Sequence, residues 1–259
     1  MDAIVTTDRK AHTASNELAR EIATRLDLPL VNREKFSIDD LCSKYQVGKV
    51  LVAKKGALYL CSSEGELFFH PNMSQLRVKN LRLGQPDHMV EAMALKSGME
   101  VLDCTLGFGA DAIVASFVVG DTGKVVGLES SPLIATVTGY GLQHFVAGNY
   151  ELHAAMRRIE VHNQEACSFL AQQPDNSFDV VYLDPMFRHP LKSSTNLAPL
   201  RGVADSRAVT AELLEQAKRV ARQRVVMKET SRSQEFQRLG FPELAGGKWS
   251  KVHYGIIRL

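Results

Sequence analysis

From Met99 to the C-terminus, strand-like and helix-like segments alternate, and no other feature of the 259-residue chain constrains its fold as strongly. Residues 99–103, 124–129, 158–162, 178–183, 224–228 and 252–257 are short, mostly apolar runs, as expected of strands covered on both faces. Between them, 109–118, 132–147, 166–172, 205–222 and 233–239 read as helices. In 205–222, Leu213, Leu214, Ala217, Val220 and Ala221 make one apolar stripe at helical spacing. Pro132 suits a first helical turn, where its missing N–H would be unpaired anyway, and Gly240 stops the 233–239 helix. This order predicts an α/β fold with a mostly parallel sheet between two helical layers.

The first eighty or so residues read differently. Leu18, Ile22, Ala23 and Leu26 mark an amphipathic helix, Pro29 begins an extended piece, and Ser37 followed by Asp40 has N-cap spacing. Residues 49–69 show hairpin patterning, with turns at Lys54-Lys55-Gly56 and at 62–65. We expect a small N-terminal α+β domain at 1–72, a linker at 73–83 and the main domain at 84–259. In the linker, Arg77, Lys79 and Arg82 interleave with Leu76, Val78 and Leu81. That pattern fits an RNA-facing strip or a half-buried edge strand with a solvated basic face.

Composition excludes several classes. At 45% hydrophobic and 23% charged the chain is ordinary for a globular protein with ample core. No apolar run approaches about 18 residues, so no membrane span is expected. Residues 1–5 have neither the basic region nor the apolar block of a signal peptide. Cys42, Cys61, Cys104 and Cys167 are far apart, and the eight histidines are scattered. Neither a metal site nor a disulfide framework is expected, and a cytoplasmic location fits. With a net charge of +2, any nucleic-acid contact must come from local patches.

Two loops carry the chemistry. The first is Asp103-Cys104-Thr105-Leu106-Gly107-Phe108-Gly109. Gly107 to Ala112 formally matches the dinucleotide pattern Gly-x-Gly-x-x-Gly/Ala, and Glu129 ends the next strand, where an acid meets a ribose hydroxyl. A nicotinamide or flavin enzyme is therefore a rival reading, and a turn kept for packing alone is another. Against the rival, a dinucleotide strand runs straight into its first glycine, whereas here Asp103 lies four residues before it. Pyrophosphate needs only amides and a helix dipole, and an acid at its mouth would repel it. The longer turn resembles the first motif of class I methyltransferases, Asp/Glu-x-x-x-Gly-x-Gly. That resemblance implies S-adenosylmethionine, with Asp103 near its ammonium end and the glycines allowing close backbone approach. Glu129 would then accept from the ribose hydroxyls. Gln164 and Glu165, just past the third strand, occupy the place where this fold meets the adenine edge; they equally suit a plain helix start capped by Asn163.

The second loop is Leu183-Asp184-Pro185-Met186-Phe187, closing the 178–183 strand. The exocyclic amine of a base is a poor nucleophile because its lone pair is delocalised into the ring. Accepting both its N–H protons localises that pair and aims it. Asp184 can supply one acceptor and the Pro185 carbonyl another, since Pro185 fixes the local backbone. Phe187 can stack on the base, which, if paired, must be extruded. The string resembles the (Asp/Asn/Ser)-Pro-Pro-(Tyr/Phe/Trp) signature of amine methyltransferases, with Met186 at the second proline. The plainer alternative is that Pro185 ends a strand and Phe187 fills a gap. Arg188, His189, Lys192, Arg201 and Arg207 follow and suit either a phosphate-meeting flap or a solvated loop. Lys228 ends its strand at the same sheet edge, where ligands of open α/β sheets gather.

With these residues together, Asp103-x-Thr105-x-Gly107-x-Gly109-x-Asp111-Ala112, 181–187 and Arg224-Val225-Val226-Met227-Lys228 resemble the ribosomal RNA small subunit methyltransferase J family. The resemblance runs from about Leu83 onward. It implies a Rossmann-like class I methyltransferase fold with a mostly parallel seven-stranded sheet, and N2 methylation of a guanine in small-subunit rRNA. It also implies donor contacts at Ala110, Asp111, Glu129, Ser130, Gln164, Glu165 and Asp184. Arg188 departs from the family's proline, and the first eighty or so residues do not match its pattern. A methyltransferase for a small-molecule or protein amine, or a non-catalytic RNA-binding module, are the other classes.

Overall fold

A computed structural model describes residues 2–146, 148–185 and 207–259. The chain begins with β1 (Ala3–Thr7), α1 (Thr13–Leu26), α2 (Ile38–Tyr45), β2 (Lys49–Lys54), β3 (Ala57–Ser62), β4 (Gly65–Phe68) and α3 (Asn72–Arg82). It continues through α4 (His88–Met93), β5 (Glu100–Asp103), α5 (Ala110–Val119), β6 (Lys124–Leu128), α6 (Pro132–His144), α7 (Tyr150–Arg157) and β7 (Ile159–His162). Then come α8 (Ala166–Ala171), β8 (Phe178–Leu183), α9 (Ala211–Val220), β9 (Ala221–Thr230), α10 (Glu235–Arg238), β10 (Glu243–Ala245) and β11 (Val252–Arg258). Among the described residues no helix is long and apolar enough to cross a membrane.

The larger sheet has seven strands in the order β10-β11-β9-β8-β5-β6-β7. β9, β8, β5, β6 and β7 are parallel, and β11 is inserted antiparallel between β9 and β10. Successive residues of each central strand face opposite layers, which is why those strands read as continuous apolar runs. Val101, Val125 and Val180 enter a core with Ile113, Leu133 and Val137. Their neighbours Leu102, Val126 and Val181 enter the other, with Phe169, Leu214 and Ala217. Strand order reverses between β5 and β8, so their carboxyl ends open the crevice where such sheets bind ligands.

The smaller sheet has the order β1-β2-β3-β4, with β1 parallel to β2 and the rest antiparallel. Ser37 and Asp40 form a reciprocal capping box at the start of α2. This sheet is not packed separately: Leu58, Leu60, Leu67 and Phe69 belong to the same core as Val101 and Ile113. A Cβ on Gly141 would overlap Phe69, so α6 seats directly against the chain leaving β4.

Several expectations are corrected. Residues 73–83 are neither a linker strip nor an edge strand; most of them lie in α3, which packs on α5 and turns Arg77 inward to Asp87 and Asp111. Arg77 is therefore not an RNA-facing cation. The expected 132–147 helix stops at His144, and Asn149 caps a further helix, α7, by accepting the Leu152 N–H at 2.9 Å. The expected 205–222 helix starts only at Ala211, capped by Thr210, and β9 takes over at Ala221. β1 and β10 carry no alternation long enough to have been read.

Candidate active site

β5 ends at Asp103, 3% exposed, whose Oδ1 accepts the Thr105 N–H at 2.9 Å and the Thr105 hydroxyl at 3.3 Å. These bonds turn the chain over the end of the sheet. Gly107 and Gly109 then take φ values of 52° and 74°, left-handed conformations that strain any side-chain-bearing residue. Ala110 begins α5. Glu129, just past β6, accepts the Gly107 N–H at 3.2 Å and the Ser131 N–H at 2.7 Å, while the Thr138 hydroxyl donates to the Gly107 carbonyl at 2.7 Å. The Asn163 amide donates to the carbonyls of Glu129 at 2.8 Å and Ser130 at 3.1 Å. The turns after β5, β6 and β7 are thus tied into one surface. Asn163 is a clamp between them; the cap of α8 is Glu165, which accepts the Ser168 N–H at 2.9 Å and has Arg207 at 3.8 Å. Gln164 sits beside it, its N–H bonded to the His162 carbonyl at 3.1 Å.

The second loop meets the first at Asp184. Its N–H donates to Thr105 Oγ1 at 2.6 Å, fastening the exit of β8 to the glycine turn. Lys228 Nζ lies 2.7 Å from Asp184 Oδ2 and 2.8 Å from Asp111 Oδ2, which also accepts the Tyr182 hydroxyl at 2.8 Å. Arg77 pairs with the other Asp111 oxygen and with both oxygens of Asp87, at 2.7 and 2.9 Å. Asp111 therefore lies beneath the turn with both oxygens engaged. Lys228, placed at this edge by the sequence, is held by carboxylates. Pro185 follows Asp184 at the crevice mouth, whereas Met186, Phe187, Arg188, His189 and Lys192 lie outside the described residues.

The electrostatics follow from this arrangement. Burial pushes Asp103 up to about 7, with the Thr105 bonds opposing and the charges of Asp111 and Asp184 adding to the rise. Burial also pushes Asp184 up, to about 6, against the pull of Lys228 and with a further push from Asp111. At Asp111 burial is outweighed by Lys228 and Arg77, which hold it well below the usual carboxylate range. Burial would lower Lys228, but Asp111 and Asp184 overcome it and keep the ammonium charged. Among the described residues, the carboxyl groups of Asp87, Asp103, Asp111, Asp184 and Glu129 outnumber the two cations there, Arg77 and Lys228. Such a cradle favours a ligand that brings positive charge, as a sulfonium with an ammonium does, and disfavours pyrophosphate.

The place of Arg77 and Tyr182 in this network was not read from the sequence. Tyr182 had a signal, since alternation puts it on the same strand face as Asp184 and Val180; Arg77 had none beyond its basic character.

A family model described as "Putative SAM-dependent methyltransferase" matches residues 40–240. The chain is 36% identical over 255 residues to "Uncharacterized protein YpiP" of Bacillus subtilis, covering 98% of this chain and 99% of that one. It is 29% identical over 230 residues to the ribosomal RNA small subunit methyltransferase J of Magnetococcus marinus, covering 84% and 85%. Against the protein of the same name from Laribacter hongkongensis it is 34% identical over 151 residues, 56% of this chain and 51% of that relative, about half its length. The family match takes in both loops and the sheet edge that joins them, so the chain belongs to the S-adenosylmethionine-dependent methyltransferases and uses that compound as methyl donor.

Proposed function

We propose that the acceptor is the exocyclic amine of a nucleobase, the N2 of a guanine in small-subunit ribosomal RNA. The observation that carries this reading is the position of Asp184, pinned by Thr105 to the glycine turn and by Lys228 through one oxygen. Support for an rRNA acceptor comes from the relatives named ribosomal RNA small subunit methyltransferase J.

Bound S-adenosylmethionine supplies an electrophilic methyl group on a sulfonium centre. The chain's own residues orient the acceptor. With Oδ2 of Asp184 on Lys228, Oδ1 accepts one amine N–H, and the Pro185 carbonyl accepts the other. Donating both N–H groups to acceptors keeps the nitrogen lone pair out of the ring and pointed along one direction. As nitrogen gains a methyl group it must shed a proton, and the ionised Asp184 is the base beside it. Asp103 and Glu129 hold the ammonium and ribose of the donor, Gly107, Gly109, Ala110 and Ser130 form its backbone cradle, and Gln164 and Glu165 meet the adenine edge. Phe187 stacks on the base, and Arg188, His189 and Lys192 meet phosphates.

Asp103→Ala and Glu129→Ala should each weaken donor binding, because each removes a hydrogen bond involving a charged group worth about 1.5–3 kcal/mol. By titration calorimetry that is roughly ten- to hundredfold in affinity. Unchanged affinity in both folded variants would place the donor elsewhere. The acceptor class is tested by offering labelled donor with undermethylated small-subunit rRNA, with unmodified protein and with small amines in parallel. Label is expected in RNA; label only in protein or small amines would overturn the RNA reading.

A further inference from the structure

Trp249, the only tryptophan in the chain, is 88% exposed. Tryptophan is mostly buried on average, so a ring left this bare is informative. It stands in the segment between β10 and β11, on the wall of a cleft of about 970 Å³ whose other wall is the end of β9 and the segment after it. Thr230 ends β9 two residues beyond Lys228 and pairs in register with Val252, and the Ser231 N–H donates to the Lys251 carbonyl at 3.0 Å. The cleft therefore opens on the same sheet edge as Asp184, one strand further out.

Its exposed charged residues are all basic, and its two carboxylates are buried or half-buried. Arg232, Lys248 and Lys251 are exposed, and among the described residues none of them is in an ion pair. Lys248 Nζ lies 5.3 Å from the centre of the Trp249 ring. Two carboxylates share the cleft: Glu229, 3% exposed, accepts the Thr230 N–H at 2.6 Å, and Glu235 pairs with Arg238. Scattered surface cations are usually just solvated. Here they line the same cleft as an exposed aromatic ring, on the sheet edge that, on the reading above, receives a base.

We propose that this cleft binds the single-stranded polynucleotide flanking the target base, with Trp249 stacking on one base and Arg232, Lys248 and Lys251 meeting phosphates. The proposal rests on the RNA reading of the active site. Stacking on an aromatic face is tolerant of sequence, so the cleft would supply hold and register, leaving choice of the target base to the Asp184 loop.

A single tryptophan makes the test direct. The full chain is titrated with a short, dye-labelled single-stranded RNA of mixed sequence, and dye anisotropy and tryptophan emission are read together. Emission should fall in step with binding. Trp249→Ala should weaken binding roughly five- to 150-fold, and Trp249→Phe much less. Arg232→Gln, Lys248→Gln and Lys251→Gln should each flatten the log–log salt dependence by about 0.7. Donor affinity should be unchanged in all five variants, which shows that they are folded. RNA binding with unchanged emission and a silent Trp249→Ala would overturn the cleft while leaving the RNA reading intact. No RNA binding at all would overturn both. An emission change with polyglutamate but not with RNA would assign the cleft to an acidic protein partner and overturn the proposal.

Discussion

Asp184→Ala is expected to lower methyl transfer by about a hundredfold or more, because one amine proton loses its acceptor and the nucleophile loses its aim. Asp184→Asn should keep part of the activity, since its amide oxygen accepts the same bond without serving as a base. Donor affinity, measured in parallel, separates loss of aim from loss of donor. The acid side of the pH profile follows from the raised carboxyl: with Asp184 at about 6, the ionised form dominates at pH 7. Activity should therefore fall as pH drops through about 6, where the carboxyl gains a proton and stops accepting. Wild-type rates in Asp184→Ala would reduce the Asp-Pro-Met-Phe loop to a structural turn.

The second large effect is expected at Lys228. Lys228→Met leaves Asp111 and Asp184 facing one another without the ammonium between them. Removing one partner from a buried pair costs about 3–5 kcal/mol, and the low end applies here because Lys228 and Asp184 remain 21% and 26% exposed. Denaturant unfolding should show that loss. The ammonium also pulls the Asp184 carboxyl down, so without it that carboxyl rises above its present value of about 6. The acid limb of the rate profile should then move to higher pH, with activity partly recovered in alkaline buffer. Lys228→Arg keeps the charge in a planar fork and should fall between the two. Unchanged stability together with an unmoved acid limb would mean that the bridge does not hold Asp184.

The sequence made the central sheet legible because β5, β6, β8 and β9 are buried on both faces and read as unbroken apolar runs. Asp103 and Asp184 were legible for a related reason: each closes such a run, and the carboxyl ends of neighbouring parallel strands meet at one edge. What stayed hidden depends on the path of the chain through space. Arg77 reaches Asp111 across 34 positions of sequence, and no local pattern encodes that pairing. In α3, the alternation of Leu76 and Val78 with Arg77 and Lys79 imitated a strand. Yet Val78 is 1% exposed and Leu76 50%, as a helix with one seated face requires. The break after α6 was marked by Gly148 and by the capping residue Asn149, but an apolar Phe145-Val146-Ala147 run masked it. Lys228 was placed at the right edge, though only the fold shows that carboxylates hold it.

We propose methyl transfer from S-adenosylmethionine to a guanine amine, aimed by Asp184. It is tested most directly by incubating the enzyme with isotope-labelled donor and undermethylated small-subunit rRNA, digesting the RNA to nucleosides and identifying the labelled one by mass spectrometry. Label is expected in N2-methylguanosine at one position and is lost in Asp184→Ala. Label in a ring-methylated or ribose-methylated nucleoside, or N2-methylguanosine formed equally well by Asp184→Ala, would contradict it.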